Sequence, residues 1–253
     1  MPLDIETIAN CRPENQFHYF QSIDSTMREA SRLATAGAPH GTVVIADKQT
    51  AGIGRLGRSW ISESDLGIYC SVLLRLKLAP ASLPVASLVV GLATAEAIQK
   101  ATQLACDLRW PNDVLIHEKK VAGILTHLVD GCIVGGIGIN VNHRAFPDGL
   151  RTPATSLLVE SEGTRQSREQ IVIKLLESLD SFCEMLQTQG PSVIIRAFTS
   201  ASSYVANRRV VIEDTGRRGV TAGLDENGFL LVRYEPGRVE KIASGGVRPD
   251  LSA

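Results

Sequence analysis

The sequence lacks the features that would place it in several broad classes. No apolar stretch is long enough for a membrane span: the longest, LPVASLVVGLATAEAI, carries Glu96 and falls short of the roughly 20 residues a spanning helix needs. No block of Lys or Arg stands out, and 26 basic against 27 acidic residues leave a formal net charge of −1, so the electrostatic footprint of a nucleic-acid binder is missing. The five cysteines, Cys11, Cys70, Cys106, Cys132 and Cys183, are scattered and form no C-x-x-C pair. That argues against a disulfide framework or a zinc site and suits buried thiols in a reducing compartment. The first residues, MPLDIETIANCRPEN, carry acids where a secretory signal carries bases. These absences predict a soluble cytoplasmic protein with neither membrane nor nucleic acid as partner.

Several chemistries are missing as well. There is no G-x-x-x-x-G-K-[ST] phosphate loop and no G-x-S-x-G nucleophile elbow. The five histidines, His18, His40, His117, His127 and His143, show no metal-ligand spacing, so they read as structural or surface residues.

What is present is a chain of 253 residues with 44% hydrophobic content, enough to bury a sizeable core. A short strand is expected at 17–21. It leads into a helix that starts at Asp24-Ser25-Thr26, with Thr26-x-x-Glu29 fitting a capping box and Gly37 marking its stop. Residues 42–47 and 67–76 are β-rich, and 84–101 has helical periodicity. CDLRW (106–110), VLIHE (114–118), VAGILTHLV (121–129) and CIVGGIGINVN (132–142) follow with connections too short for crossover helices, which makes them antiparallel neighbours. Helical patterns return at 167–187 and 191–200. From about residue 207, short strands alternate with Asp-Thr-Gly, Glu-Asn-Gly and Pro-Gly turns, the texture of a small β-barrel. The predicted architecture is α/β: a mixed, largely antiparallel sheet flanked by helices over residues 1–205, and a C-terminal SH3-like barrel over 206–253.

The stretch AGIGRLGRSW (51–60) satisfies G-x-G-x-x-G, yet no helical stripe follows Gly57 and no acid stands about 20 residues on. The dinucleotide reading fails on that context. The alternative is a mobile basic loop in which glycines supply conformational freedom, Arg55 and Arg58 supply forks for carboxylate or phosphate, and Trp60 anchors the far end. RWPND (109–113) presents polar side chains at a turn. KKVAGIL (119–125) sets Lys119 and Lys120 at the start of an apolar strand, either as edge guards or aimed into a pocket. GIGINVN (136–142) is a glycine-rich strand that ends in Asn140 and Asn142, where a ligand or another backbone can come close.

IDSTMREA (23–30), VVIADKQTAGIGRLGRSW (43–60), RWPNDV (109–114), KKVAGIL and GIGINVN, followed by a terminal β-module, occur in the order seen in biotin protein ligases, and the resemblance spans roughly 17–250. It implies an enzyme that joins the biotin carboxylate to the α-phosphate of ATP with Mg²⁺, releasing pyrophosphate, and then transfers biotinyl from AMP to a lysine of a biotin carboxyl carrier domain. By that resemblance Lys120, Asp113 and Arg55 are the catalytic residues. Lys120 is the electrostatic catalyst, and Asp113 orients the acceptor lysine and can accept its proton. Ser25, Thr26, Met27, Gln49, Gly52, Ile53, Gly54, Arg55, Lys120 and Gly123 match biotin-binding positions; Arg55, Arg58, Trp60, Lys120 and Asn140 match ATP positions; no metal ligand is assigned. The glycine loop resembles a lid that shields the acyl-adenylate from water.

The chain departs from the family pattern at four places. Met27 stands where Asn is frequent, Ile53 where many members have Arg, Arg109 replaces the usual Lys, and Ser59 replaces a common Lys. Some members carry an N-terminal DNA-binding domain. Residues 1–16, ahead of the first expected strand, are too few for one, so a ligase without repressor activity is expected. Homodimerisation is left open. The competing readings are a lipoate or octanoate ligase, whose RRxSGGG-like stretch is absent, and a non-catalytic biotin-binding module, suggested by Met27 and Ile53.

Overall fold

The computed structural model describes residues 1–250. Its main sheet has seven strands: β1 (Phe17–Phe20), β2 (Val43–Ala46), β3 (Gly67–Leu74), β4 (Asp107–Arg109), β5 (Asp113–Ile116), β6 (Lys119–Val129) and β7 (Cys132–Asn140). Their spatial order is β1-β2-β3-β7-β6-β5-β4. Only β1 and β2 run parallel, joined by a crossover through α2 (Thr26–Thr35); every other neighbouring pair is antiparallel.

The two-residue repeat of the strands decides what each face covers. Val43, Ile45, Ile68, Cys70, Val72 and Leu74 point to the large core with α3 (Leu83–Thr102) and α5 (Arg168–Gln189). Val44, Leu73 and Val134 point the other way, into a smaller cluster with Met27, Ala30, Leu33 and Ala34 of α2. α2 is therefore amphipathic, whereas α3 buries residues around most of its circumference between the sheet, α5 and α6 (Pro191–Ser200). Two short helices went unread in the sequence, α1 (Ile5–Cys11) and α4 (Leu157–Glu160).

The C-terminal strands β8 (Ala206–Ile212), β9 (Arg218–Leu224), β10 (Leu230–Tyr234), β11 (Arg238–Ile242) and β12 (Val247–Pro249) form a separate antiparallel sheet in the order β11-β10-β9-β8-β12. This is a five-stranded sheet compatible with an SH3-like module. It docks through Trp110, whose Nε1–H donates to the Gly228 carbonyl at 3.0 Å.

Three expectations need correction. α2 is capped by Ser25 without a side-chain hydrogen bond. The capping box does not form, because the Thr26 N–H is taken by Gln49 Oε1 at 2.9 Å and Glu29 pairs with Arg32. The strand expected at 114–118 ends at Ile116, since His117 and Glu118 turn the hairpin with φ of 48° and 62°. All five cysteines are free, but only Cys70, Cys132 and Cys183 are buried; Cys106 is half-buried and Cys11 exposed.

Candidate functional site

On the α2 face of the main sheet, the β6–β7 register pairs Gly123 with Gly138 and Leu125 with Gly136. Three of these four positions have no side chain, so the sheet surface is scooped out there. α2 and the 52–60 loop close over the hollow. A Cβ added at Gly136 would lie 2.4 Å from Met27 Sδ, and one at Gly138 would lie 2.4 Å from the Trp60 ring.

The 52–60 loop is a small hairpin with its own hydrogen bonds. Gly54 N–H donates to the Arg58 carbonyl at 2.6 Å and Trp60 N–H to the Gly52 carbonyl at 2.9 Å. Gly52 is demanded by close approach, since a Cβ there would meet the Trp60 carbonyl oxygen at 2.5 Å; Gly57 is demanded by its φ of +71°.

Two cavities adjoin at this place. The inner one, about 50 Å³, is lined by Thr26, Met27, Gln49, Ile53, Cys70, Gly123, Leu125, Gly136 and Gly138 among others. Its polar groups form one chain. Ser71 Oγ–H donates to Thr26 Oγ1 at 2.9 Å, Thr26 Oγ1–H donates to Gln49 Oε1 at 3.1 Å, and Gln49 Nε2–H donates to Ser62 Oγ at 3.0 Å. One Gln49 N–H and one Thr26 lone pair are left for a ligand. The outer cavity, about 230 Å³, is lined by Arg58, Glu63, Trp110, Asp113, Asn140, His143, Phe146, Arg151 and, from the C-terminal sheet, Glu213, Gly246 and Val247. Gly54, Arg55, Trp60, Asn112 and Lys120 line both.

Charge concentrates along the shared wall. Lys120 Nζ lies 2.6 Å from Asp113 Oδ1 and 5.4 Å from the Trp60 ring centroid. Arg109, 4% exposed, holds the other Asp113 oxygen at 2.5 Å and also donates to Thr152 Oγ1 at 2.8 Å. Burial pushes the Asp113 carboxyl up, but Lys120 and Arg109 outweigh it and hold its pKa below the usual carboxylate range. Arg55 donates to Asn112 Oδ1 and to the Gly245 carbonyl, both at 3.0 Å, and burial lowers its pKa.

Of the residues the sequence singled out, Thr26, Met27, Gln49, Ile53, Gly54, Arg55, Lys120 and Gly123 line the inner cavity, and Arg58, Trp60, Asp113 and Asn140 line the outer one. Ser25 and Gly52 line neither: Ser25 is fully buried at the start of α2, its Oγ without a hydrogen-bond partner. Asn142 spends its side chain on the backbone of Gln166. Gly136, Gly138, His143, Arg151 and Glu213 were not identified. The first two belong to the GIGINVN stretch that reads as glycine-rich; the others carry no local signal.

The sequence pattern of the biotin/lipoate A/B protein ligase family matches residues 19–143. The bifunctional ligase/repressor BirA of Bacillus spizizenii is 35% identical over 238 residues, covering 90% of this chain and 72% of that one. The biotin--[acetyl-CoA-carboxylase] ligase of Mycobacterium tuberculosis is 31% identical, covering 86% of this chain and 82% of that one. Among solved structures, the biotin protein ligase from Aquifex aeolicus in complex with biotin and ATP superimposes with a TM-score of 0.81 at 32% identity, covering 92% of this chain and 97% of that one.

Proposed function

The chain belongs to the biotin protein ligase family and is an ATP-dependent biotin ligase; we propose that its two adjoining cavities divide the reaction between them. The inner cavity takes the biotin ring and the outer one takes ATP. The observation that carries this assignment is their shared wall, which holds two cations, Arg55 and Lys120; in this reading the biotin carboxylate and the α-phosphate meet beside them.

In the first step a carboxylate oxygen bonds to the α-phosphorus and the bond to pyrophosphate breaks. Two anions are forced together, so fixed cations lower the barrier more than water could. Lys120 is placed for this work, with Asp113 and the Trp60 face holding its ammonium in position. In the second step the acceptor lysine of a biotin-dependent carboxylase's carrier domain attacks the acyl carbon and AMP leaves. Asp113, already paired with Lys120 and Arg109, is the carboxylate beside the shared wall toward which that lysine is drawn. Thr26 and Gln49, with one acceptor site and one N–H to spare, serve the ureido ring, and the 52–60 hairpin covers the adenylate against water.

Mg²⁺ accompanying the triphosphate would supply neutralisation of its charge. The outer cavity fits that ion in a limited way. Asp113 and Glu213 are engaged in ion pairs, and Glu63 is the lining carboxylate without one among the described residues. The ion would thus be held chiefly by phosphate oxygens and water, as this ion commonly is, with Glu63 in reach.

We assign the catalytic unit to residues 1–205 and the accessory unit to 206–253. A net charge of −1 without a basic run argues against DNA binding. Specific binding of duplex DNA at physiological salt would contradict that.

Biotin-dependent exchange of pyrophosphate into ATP tests the assignment, with lipoate run in parallel. Exchange is expected with biotin and not with lipoate, and Lys120→Ala is expected to lower it by roughly 100-fold or more. Exchange with lipoate alone would reverse the substrate assignment, and undiminished exchange in Lys120→Ala would remove Lys120 from its role.

A further inference from the structure

The outer cavity is lined in part by a residue from the C-terminal strands' side. Glu213, in the turn after β8, lines it beside Gly246 and Val247. Its side chain is only 10% exposed and its carboxylate lies 3.5 Å from Arg58 and 3.6 Å from Arg151, both residues of the body. Both separations exceed hydrogen-bond distance, and the two arginine side chains are nearly half exposed, 46% and 47%. The contact is electrostatic and loose. The backbone beneath it is not loose: Glu213 N–H donates to the Gly246 carbonyl at 2.9 Å, and Arg151 also reaches the Glu213 carbonyl oxygen at 3.3 Å.

A carboxylate taken this far out of water is tolerable only beside compensating cations. The cavity whose cations it occupies is the one assigned to a nucleotide. A triphosphate carries more charge than one carboxylate and offers several oxygens to guanidinium forks. It and Glu213 therefore compete for the same two arginines.

We propose that Glu213 is a stand-in anion of the nucleotide site: it neutralises Arg58 and Arg151 while the cavity lacks nucleotide and yields them to the polyphosphate of a bound nucleoside triphosphate. Nucleotide affinity is then set from the C-terminal sheet, and nucleotide binding removes two of that sheet's tethers to the body. Other tethers, among them Arg55 to the Gly245 carbonyl, Trp110 to the Gly228 carbonyl and Arg208 to Glu118, do not involve the Glu213 carboxylate. The inference rests on the outer cavity being the ATP site.

The test is ATP binding by isothermal titration in the presence of biotin, together with KM for ATP and for biotin in pyrophosphate exchange, on the whole chain. Glu213→Gln keeps the shape and removes the charge. It is expected to tighten ATP by about fivefold, the size of a partly exposed ion pair, and to leave KM for biotin in place. Glu213→Asp should stay closer to the wild type, and Arg151→Gln should weaken ATP. In the wild type, ATP should speed amide hydrogen exchange in β8 and β12, and Glu213→Gln should abolish that response. Weaker or unchanged ATP binding in Glu213→Gln, with exchange activity intact in the wild type, overturns the stand-in role alone and leaves Glu213 as a plain structural tether. Failure of the wild type to bind ATP overturns both this role and the assignment of the cavity.

Discussion

Asp113 shows how neighbours change the duty a residue can perform. Matched by resemblance, it could accept a proton from the acceptor lysine; between Lys120 and Arg109 its pKa is held low instead, which makes it a poor base and a good anchor for cations. Its folded value lies below its unfolded one, so its stabilising contribution is present above the ordinary carboxylate value of about 4 and is lost as pH falls through the folded value. Activity between pH 5 and 8 should accordingly show no ionisation belonging to Asp113, and Asp113→Asn should leave the pH profile's shape alone while lowering transfer to the carrier more than pyrophosphate exchange. His143 behaves in the opposite region. It is 4% exposed, its Nδ1 has no hydrogen-bond partner, and burial lowers its pKa from 6.5 despite the opposing charge of Glu63. The unfolded chain then takes up a proton before the folded one, so stability should decline as pH falls below about 6.5. Thermal melts of wild type and His143→Gln from pH 5 to 8 check this: the decline should be shallower in the variant. The sequence made Asp113 visible through its motif. It could not show the charge balance around it, because Arg109, Lys120 and Thr152 converge only in the folded chain.

At the scale of elements, the β6–β7 hairpin carries the site because of what its residues omit. Gly123 and Gly138 face each other across the register, and the Trp60 ring rests on both. Alanine at 138 puts a methyl group into that ring, so Trp60 must leave or the strands must part. Overpacking of this kind costs about 1–3 kcal/mol. Gly138→Ala should lower stability by that order, alter tryptophan emission and weaken biotin binding; unaltered emission with full affinity would show that Trp60 has another seat. The strands of this hairpin were legible from their apolar runs and short connections, and their antiparallel pairing followed. The reason for the glycines was not legible, because ligand approach and ring packing leave the same trace in a sequence. The start of α2 was misread for a related cause. A local capping box was outcompeted by Gln49, which reaches back from 23 positions away to accept the Thr26 N–H.

Across the whole molecule, the two cavities differ in ownership. Every residue lining the inner one lies between Thr26 and Gly138, whereas the outer one also takes Glu213, Gly246 and Val247 from the C-terminal sheet. Turn-rich texture revealed the C-terminal strands, but their docking rests on contacts spanning more than a hundred residues, such as Trp110 to Gly228 and Arg55 to Gly245, for which local patterns hold no information. This division predicts that loosening the interface affects the two substrates unequally. Gly228 has φ +81°, and a Cβ there would come within 3.1 Å of Leu88 Cδ1 on α3, so alanine is strained by its backbone and pressed against the body. The conformational part alone costs about 1 kcal/mol. Gly228→Ala should shift the C-terminal sheet away from the body and raise KM for ATP several-fold, because three lining residues move with it. KM for biotin should change less, because the inner cavity takes no residue from that sheet and is tied to it through Arg55, which donates to the Gly245 carbonyl. Equal rises in both constants would mean that the sheet supports the body as a whole and that the nucleotide has no particular claim on it.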